Sequence, residues 1–242
     1  MRQRKSIVMA VSRVQRLHGP APRWIGALLL VGLLAAAGPG KAVTLNPGDI
    51  LIANQGDSTV IRVNPADASQ TPVTSGPPLL HSQGIAVAAN GDLFVVNTSF
   101  SRAVGVIRVN PAIANQPPGH NQTVVTEGDN LFSPHGIAIA ANGDLLIADS
   151  GAGPIRVNLA DGSQTPVTSG PPLAVPVGIA IAPNGDLLVA DPDCCVRQGA
   201  TGKGGVIRVN PAIPSRTRES PGRSWWADPE LPIRCYEDVT PL

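Results

Sequence analysis

The feature that most constrains the fold of this chain is an apolar segment that recurs along it. Residues 136–149 read GIAIAANGDLLIAD, residues 84–97 read GIAVAANGDLFVVN and residues 178–191 read GIAIAPNGDLLVAD. Each copy has two short apolar runs separated by Asn-Gly, which predicts a tight hairpin turn whose two central residues both have positive φ. A shorter version, NPGDILIAN, occupies residues 46–54. A hairpin that recurs in this way indicates a repeat protein.

One further strand-like segment follows each hairpin, and a second follows in three of the four repeats. The first reads VIRVNPA at residues 60–66, 106–112 and 206–212, and is shortened to IRVN at 155–158. The second reads QTPVT at 70–74 and 164–168, and QTVVT at 122–126. Pro72 and Pro166 lack the N–H that a central strand must donate, so this last strand should lie at the edge of its sheet. The repeat therefore predicts a four-stranded antiparallel unit.

Such a unit is typical of an all-β fold, the β-propeller, with four-stranded blades. Small residues in the first strand of each repeat suit close packing near a propeller axis, and the aromatic content of 3% is low for a sandwich core. Residues 43–213 hold about three and a half to four blades, the last ending after its third strand. Since propellers close with about four to eight blades, we expect a partial propeller. A parallel β-solenoid is the main alternative.

The first 42 residues differ from the repeats. Basic residues precede an uncharged apolar run at 25–37, too short to cross a bilayer as a helix, and Gly40-Lys-Ala42 resembles a signal-peptidase site. We interpret residues 1–42 as a signal peptide, so the protein should be secreted or periplasmic, with no stable membrane span after cleavage. An uncleaved membrane anchor is the alternative.

The composition changes again at residues 214–242, which lack the QTxVT strand and hold two of the three Trp and the single Tyr. We expect an irregular tail, and a shifted reading frame is one hypothesis for its origin. Cys194 and Cys195 could form a vicinal disulfide, or either could pair with Cys235, and the sequence leaves this choice open.

The overall charge limits the class of partner. A net charge of +1 gives no electrostatic footprint for nucleic acid. The remaining partners are a protein, a glycan or a small-molecule ligand. Open blade edges could also support self-association.

Repeated polar residues lie where the second strand of each blade ends. In a propeller these positions share the channel mouth with the loops before each Gly-Ile-Ala, so we place the candidate site there. Carboxylate and amide oxygens are ligands for Mg²⁺ or Ca²⁺; alternatively, each side chain caps the turn that follows it. The residues in question are Asn54, Asn97, Asp149 and Asp191.

His135 breaks the symmetry of the repeats, because no other histidine directly precedes a Gly-Ile-Ala segment. The predicted hairpin brings His135 and Asp149 to the same rim, where Asp149 could orient the imidazole or share a metal with it. His135 is therefore the candidate catalytic residue of this chain.

The pattern P-x-G-I-A, followed by N-G-D and an apolar strand ending in Asp or Asn, resembles NHL-type propellers. It is also similar to gluconolactonase-like and streptogramin-lyase-like six-bladed propellers, which implies that this chain is a partial propeller of the six-bladed type. The lyase resemblance implies that His135 is a general acid/base and Asp149 a magnesium ligand. That family has Glu where this chain has Ser133, and Glu where it has the shorter Asp149.

Because these departures remove a convergent group, our first functional hypothesis is an exported propeller that binds a ligand or partner protein at the channel mouth without catalysis. A metal-dependent lyase or lactonase using His135 and Asp149 is the alternative, and a degenerate fragment is the third.

Overall fold

The computed structural model describes residues 41–98, 104–170, 172–194 and 204–211, together with the backbone of a strand at 233–236. The predicted signal peptide therefore lies almost wholly outside the described residues, as does most of the tail. Within these residues, no helix has the length and apolar character to cross a membrane.

The described strands form four antiparallel sheets, each with its strands in chain order. The all-β prediction is confirmed. The first sheet contains β1 (Ile50–Asn54), β2 (Thr59–Val63) and β3 (Gln70–Ser75); the second β4 (Ser82–Val87), β5 (Leu93–Asn97), β6 (Gly105–Val109) and β7 (Gln122–Glu127); the third β8 (Pro134–Ile139), β9 (Leu145–Asp149), β10 (Gly153–Val157) and β11 (Gln164–Pro166); the fourth β12 (Gly178–Ile181), β13 (Leu187–Asp191), β14 (Gly205–Val209) and β15 (Ile233–Tyr236).

The core lies between successive sheets, because alternate side chains of a strand point to opposite faces. The front face of a sheet is the one that carries the residues equivalent to Leu93, Val95, Ile107 and Val109 of the second sheet. Its back face carries the residues equivalent to Ala86, Phe94, Val96 and Val106. The back face of each of the first three sheets packs against the front face of the next in a separate apolar cluster.

The strands with the Gly-Ile-Ala sequence lie innermost. β4 contacts β8 and β8 contacts β12, whereas β3, β7 and β11 lie at the opposite edges of their sheets. The predicted edge position of Pro72 and Pro166 is confirmed, since they lie in β3 and β11. The sheets are thus arranged around an axis, as the predicted blades require.

The hairpin turns differ from the prediction. Only the glycine of each Asn-Gly has positive φ, with values of 88° at Gly91, 91° at Gly143 and 88° at Gly185. In the second sheet the Gly91 N–H donates to the Ala88 carbonyl, and the Ala88 N–H donates to the Asp92 carbonyl. This is a three-residue loop with a type I turn and a left-handed glycine. The asparagine stays right-handed because its side-chain oxygen accepts the N–H of the following aspartate.

The aspartate at this position pairs with an arginine of the VIRV strand of the same sheet, which is β2 in the first sheet, β6 in the second and β14 in the fourth. Arg62 donates to Asp49 at 2.5 Å, and Arg108 and Arg208 pair with Asp92 and Asp186. Burial raises the pKa of Asp49, but hydrogen bonds from Arg62 and Asn46 and the charge of Arg62 outweigh it, so the pKa is lowered. These arginines therefore stabilise the individual sheets.

A polar ladder joins the outer strands of neighbouring sheets and explains the QTxVT sequence. The Gln122 amide donates to Thr74 Oγ1 of the preceding sheet at 2.8 Å, and Gln164 donates to Thr126 Oγ1 at 2.8 Å. The next hydroxyl in the series, on Thr168, is buried and is the one buried polar side-chain atom without a partner in the described residues.

The fourth sheet requires a correction to the prediction that its third strand is its last. β15 pairs antiparallel with β14, and Ile233 lies opposite Val209, as Gln164 lies opposite Val157 in the third sheet. The segment 214–242 therefore supplies a fourth strand, but with isoleucine at the position of the ladder glutamine. Isoleucine has no side-chain amide, so this position lacks the donor that Thr74 and Thr126 each receive from a glutamine.

Candidate functional site

The predicted rim is formed where first strands begin and second strands end. Ser82 pairs with Asn97 across the second sheet, and Pro134 pairs with Asp149 across the third. The loop before each inner strand and the loop after the second strand therefore meet at the channel mouth.

Asp149 is fully buried at this rim and accepts four backbone hydrogen bonds. Phe132 and Ser133 donate to Oδ2 at 2.8 and 3.0 Å, and Gly151 and Ala152 donate to Oδ1 at 2.8 and 3.0 Å. An ionised carboxylate has about four lone-pair sites. Asp149 thus fastens the loop before β8 to the loop after β9, and its acceptor capacity is filled.

Asp191 fastens the two loops of the fourth sheet in the same way, and the equivalent asparagines each accept a backbone N–H from one loop. Asp191 accepts the N–H groups of Ala174, at 2.8 Å, and of Val175 and Asp193. Asn97 accepts the Leu80 N–H at 2.5 Å, and Asn54 accepts the Gly56 N–H at 3.2 Å. Asp149, Asp191 and Asn54 thus each accept an N–H group of the turn that follows them, which is the capping role that the sequence left as an alternative, whereas the Leu80 N–H that Asn97 accepts belongs to the loop before β4.

The described residues contain no group of three or more His, Cys, Asp or Glu side chains arranged to hold a metal ion. Mg²⁺ or Ca²⁺ at Asp149 or Asp191 would have to displace backbone N–H donors from those carboxylates. The metal site remains a prediction from the sequence.

His135 lies in a β-bulge at the channel mouth. The register of β8 on β9 shifts between Pro134 and Ile137, so His135 and Gly136 together oppose Ala148. Bulges of this kind re-aim a side chain next to functional sites. His135 Nε2 lies 3.4 Å from Ser133 Oγ and 3.5 Å from Ser150 Oγ. The imidazole is half-buried and flanked by two hydroxyl groups.

The sequence does not identify three residues near His135 as members of a site. Ser133 stands out only as a departure from the lyase pattern, and Ser150 directly follows Asp149. Phe132 is 65% exposed although it is aromatic, and its Cβ is 2.9 Å from the position that a Cβ on Gly151 would take. The aromatic residue beside Ser-Pro-His was the available signal, because the chain has so few aromatic residues.

A cleft lies at the rim opposite the channel mouth, between the second and third sheets. It has a volume of about 690 Å³ and is lined by hairpin-turn residues, by Phe94 and Arg108, and by Leu159 and Asp161 of the turn after β10. Hydrogen bonds from the side chain and backbone of Ser163 lower the pKa of Asp161. None of the predicted site residues lines this cleft.

Comparison with known proteins gives the fold. No family model matches the chain, and no curated protein matches it. Among solved structures, virginiamycin B lyase from Staphylococcus aureus superposes with a TM-score of 0.52 at 14% identity over 85% of this chain and 57% of the lyase. A streptogramin B lyase structure gives 0.51 at 16% identity over 82% and 54%. The chain is a partial β-propeller.

Hydrazine synthase of Kuenenia stuttgartiensis is also similar, with a TM-score of 0.50 and 20% identity over 72% of this chain and 47% of that chain. Enzymes of different activity thus share the fold, and identities this low support the fold alone. The propeller prediction is confirmed, including its likeness to streptogramin-lyase propellers. This chain spans about half the length of these chains.

Proposed function

We propose that this chain is an exported binding propeller that holds a ligand or a partner protein at the channel-mouth face of its third sheet, without metal-assisted catalysis. The observation that carries the proposal is the group formed by His135, Ser133 and Ser150 beside the exposed Phe132. This group breaks the symmetry of the repeats.

The chemistry of this group suits binding. The imidazole and both hydroxyls can donate or accept hydrogen bonds, and the phenyl ring offers an apolar surface on which a sugar ring or an apolar side chain can lie. The backbone that carries Phe132 and Ser133 is held by Asp149, so the surface is preorganised. We infer that the ligand has a ring or alkyl portion next to a hydrogen-bonding group, as glycans and peptides do.

The alternative, a metal-dependent lyase or lactonase, would use His135 as the general acid/base and Asp149 as a metal ligand. This alternative requires a cation to replace the buried N–H donors at Asp149. It also requires a carboxylate at the position where this chain has Ser133. Binding without catalysis requires neither change. These two features favour the binding proposal.

Ligand-observed NMR tests the proposal with panels of oligosaccharides and short peptides. We expect at least one compound to bind wild type and to lose most of its signal with Phe132→Ala and with His135→Ala. Ile113→Ala is the control, because Ile113 is also an exposed apolar residue but lies in the loop after β6. Panels that contain no binder, or binders that respond equally to all three substitutions, would overturn the proposal.

Titration calorimetry distinguishes the binding proposal from the metal-dependent alternative. Mg²⁺ and Ca²⁺ are titrated separately into wild type and into Asp149→Ala. The binding proposal expects no saturable heat in either protein. Saturable binding that disappears in Asp149→Ala would support the metal-dependent alternative instead.

A further inference from the structure

The back face of the fourth sheet is exposed although its counterparts are buried. Val206 is 41% exposed, whereas its equivalent in the second sheet, Val106, is 0% exposed. Ala190 is likewise exposed while Ala148 at the same position of the third sheet is buried, and Leu188 is only half-buried. An apolar sheet face of this kind marks an interaction surface.

The front face of the first sheet shows the matching difference. Its residues occupy the positions of Leu93, Val95, Ile107 and Val109, all of which are buried in the second sheet. In the first sheet all four positions are only half-buried. They are Ile50, Ile52, Ile61 and Val63.

These two surfaces are the two halves of an interface that the molecule already contains. Between the first and second, the second and third, and the third and fourth sheets, a back face packs on a front face in one apolar cluster. The exposed back face of the fourth sheet belongs to the same repeat as the buried back faces, and the half-buried front face of the first sheet belongs to the same repeat as the buried front faces. Each surface thus presents the repeat positions of one half of the internal interface, and the two lie at opposite ends of the row of described sheets.

We propose that a second copy of this chain covers these surfaces, with the back face of the fourth sheet of one copy packed on the front face of the first sheet of the next. The argument rests on continuity with the internal interfaces. Among the side chains that the structure describes on these two faces, Arg208 is paired with Asp186 within its own sheet, and the polar members of the front face, Asn54 and Thr59, are neutral. The register places a second arginine, Arg234, opposite Arg208 on the outer strand β15.

This head-to-tail contact differs from pairing between strand edges. A head-to-tail dimer keeps one free surface of each kind, so further copies can add at either end until the row closes into a ring. Edge pairing would instead use the outer strands β3, β7 and β11. Substitutions on the sheet faces therefore distinguish the two modes.

The test is sedimentation velocity on the full chain over a range of concentrations, with folding checked by circular dichroism. Wild type should form species larger than one chain. Val206→Asp and Ile61→Asp should each raise the dissociation constant about 100-fold or more, because each places a charge in an apolar contact. Val124→Asp is the control, since Val124 is 42% exposed on the outer strand β7, and it should associate like wild type.

The decisive sample is an equimolar mixture of the two interface variants. Val206→Asp keeps its front face and Ile61→Asp keeps its back face, so the mixture should form one-to-one dimers that stop at two copies. If Ile61→Asp perturbs folding, Thr59→Asp on the same face replaces it. Monomeric wild type, association that survives either substitution, or a mixture that forms no dimer would overturn the proposal.

Discussion

Gly84 lies directly against His135, so that a Cβ atom added to Gly84 would be 2.2 Å from the backbone carbonyl oxygen of His135 in the next inner strand. Gly136 has the same relationship to the fourth sheet, where its Cβ would be 2.9 Å from Gly178 Cα. The inner strands therefore approach each other through backbone, and only glycine permits this distance. The histidine of the candidate site is positioned by this contact.

Gly84→Ala should destabilise the protein by about 3 kcal/mol, because the added methyl group forces two inner strands apart. Gly178→Ala is the matched control. It lies at the same position of the fourth sheet, and its Cβ would meet only the Cβ of Ala190 at 3.2 Å. We expect a change below about 1 kcal/mol there. Urea unfolding measures both, and equal losses would contradict this account of the inner strands.

Asp149→Ala should cost about 3 kcal/mol of unfolding free energy, since it leaves four backbone N–H groups near a fully buried position without their acceptor. Asp149→Asn should cost less, because Asn97 fills the equivalent position with one amide oxygen. Asp144→Ala, in the hairpin turn of the same sheet, is the control and should cost under about 1 kcal/mol. Chemical denaturation checks the order, and a loss confined to ligand binding would contradict the structural role of Asp149.

The Thr168 hydroxyl gives a prediction of opposite sign. Thr126→Val removes a hydroxyl that donates to the Gly162 carbonyl at 2.8 Å and accepts from Gln164, so it should cost about 1–2 kcal/mol. Thr168→Val removes a buried hydroxyl that has no partner, so it should be neutral or stabilising. Thermal unfolding of the two variants compares them. A clear loss of stability at Thr168 would show that its hydroxyl is in fact satisfied.

The sheets could be predicted from the sequence because their causes are local. Alternating apolar residues, Asn-Gly turns and the prolines of the QTPVT strands each determine structure within a few residues. The predicted turn type was wrong, and the reason is equally local. The Asn90 side chain accepts the Asp92 N–H, so Asn90 stays right-handed and only Gly91 is left-handed. The strand at 233–236 could not be predicted, because it pairs with β14 across a long intervening segment and does not share the repeat sequence.

The candidate site was predictable only in part. The topology placed His135 and Asp149 at one rim, which the structure confirms. The sequence could not show that four backbone N–H groups occupy the acceptor sites of the Asp149 carboxylate, because the directions of these groups depend on the folded loops. The positions of Ser133 and Ser150 beside the imidazole of His135 likewise depend on the folded loops and cannot be seen in residue types alone.

The ion pair between Arg62 and Asp49 predicts a dependence of stability on pH. Although burial alone would raise the pKa of Asp49, the hydrogen bond and charge of Arg62 lower it in the folded state. A lowered pKa means that the carboxylate stabilises the fold above its unfolded pKa of about 3.9, and that this contribution is lost as the pH falls through the folded value. The difference in unfolding free energy between wild type and Arg62→Gln should therefore be constant near neutral pH and shrink below about pH 4.

Arg156→Gln is the control for this prediction, because Arg156 has no carboxylate partner among the described residues. Its difference in unfolding free energy from wild type should not change with pH. Denaturant unfolding across this pH range measures both differences, and a constant difference for Arg62→Gln down to pH values where Asp49 is protonated would contradict the assigned pairing.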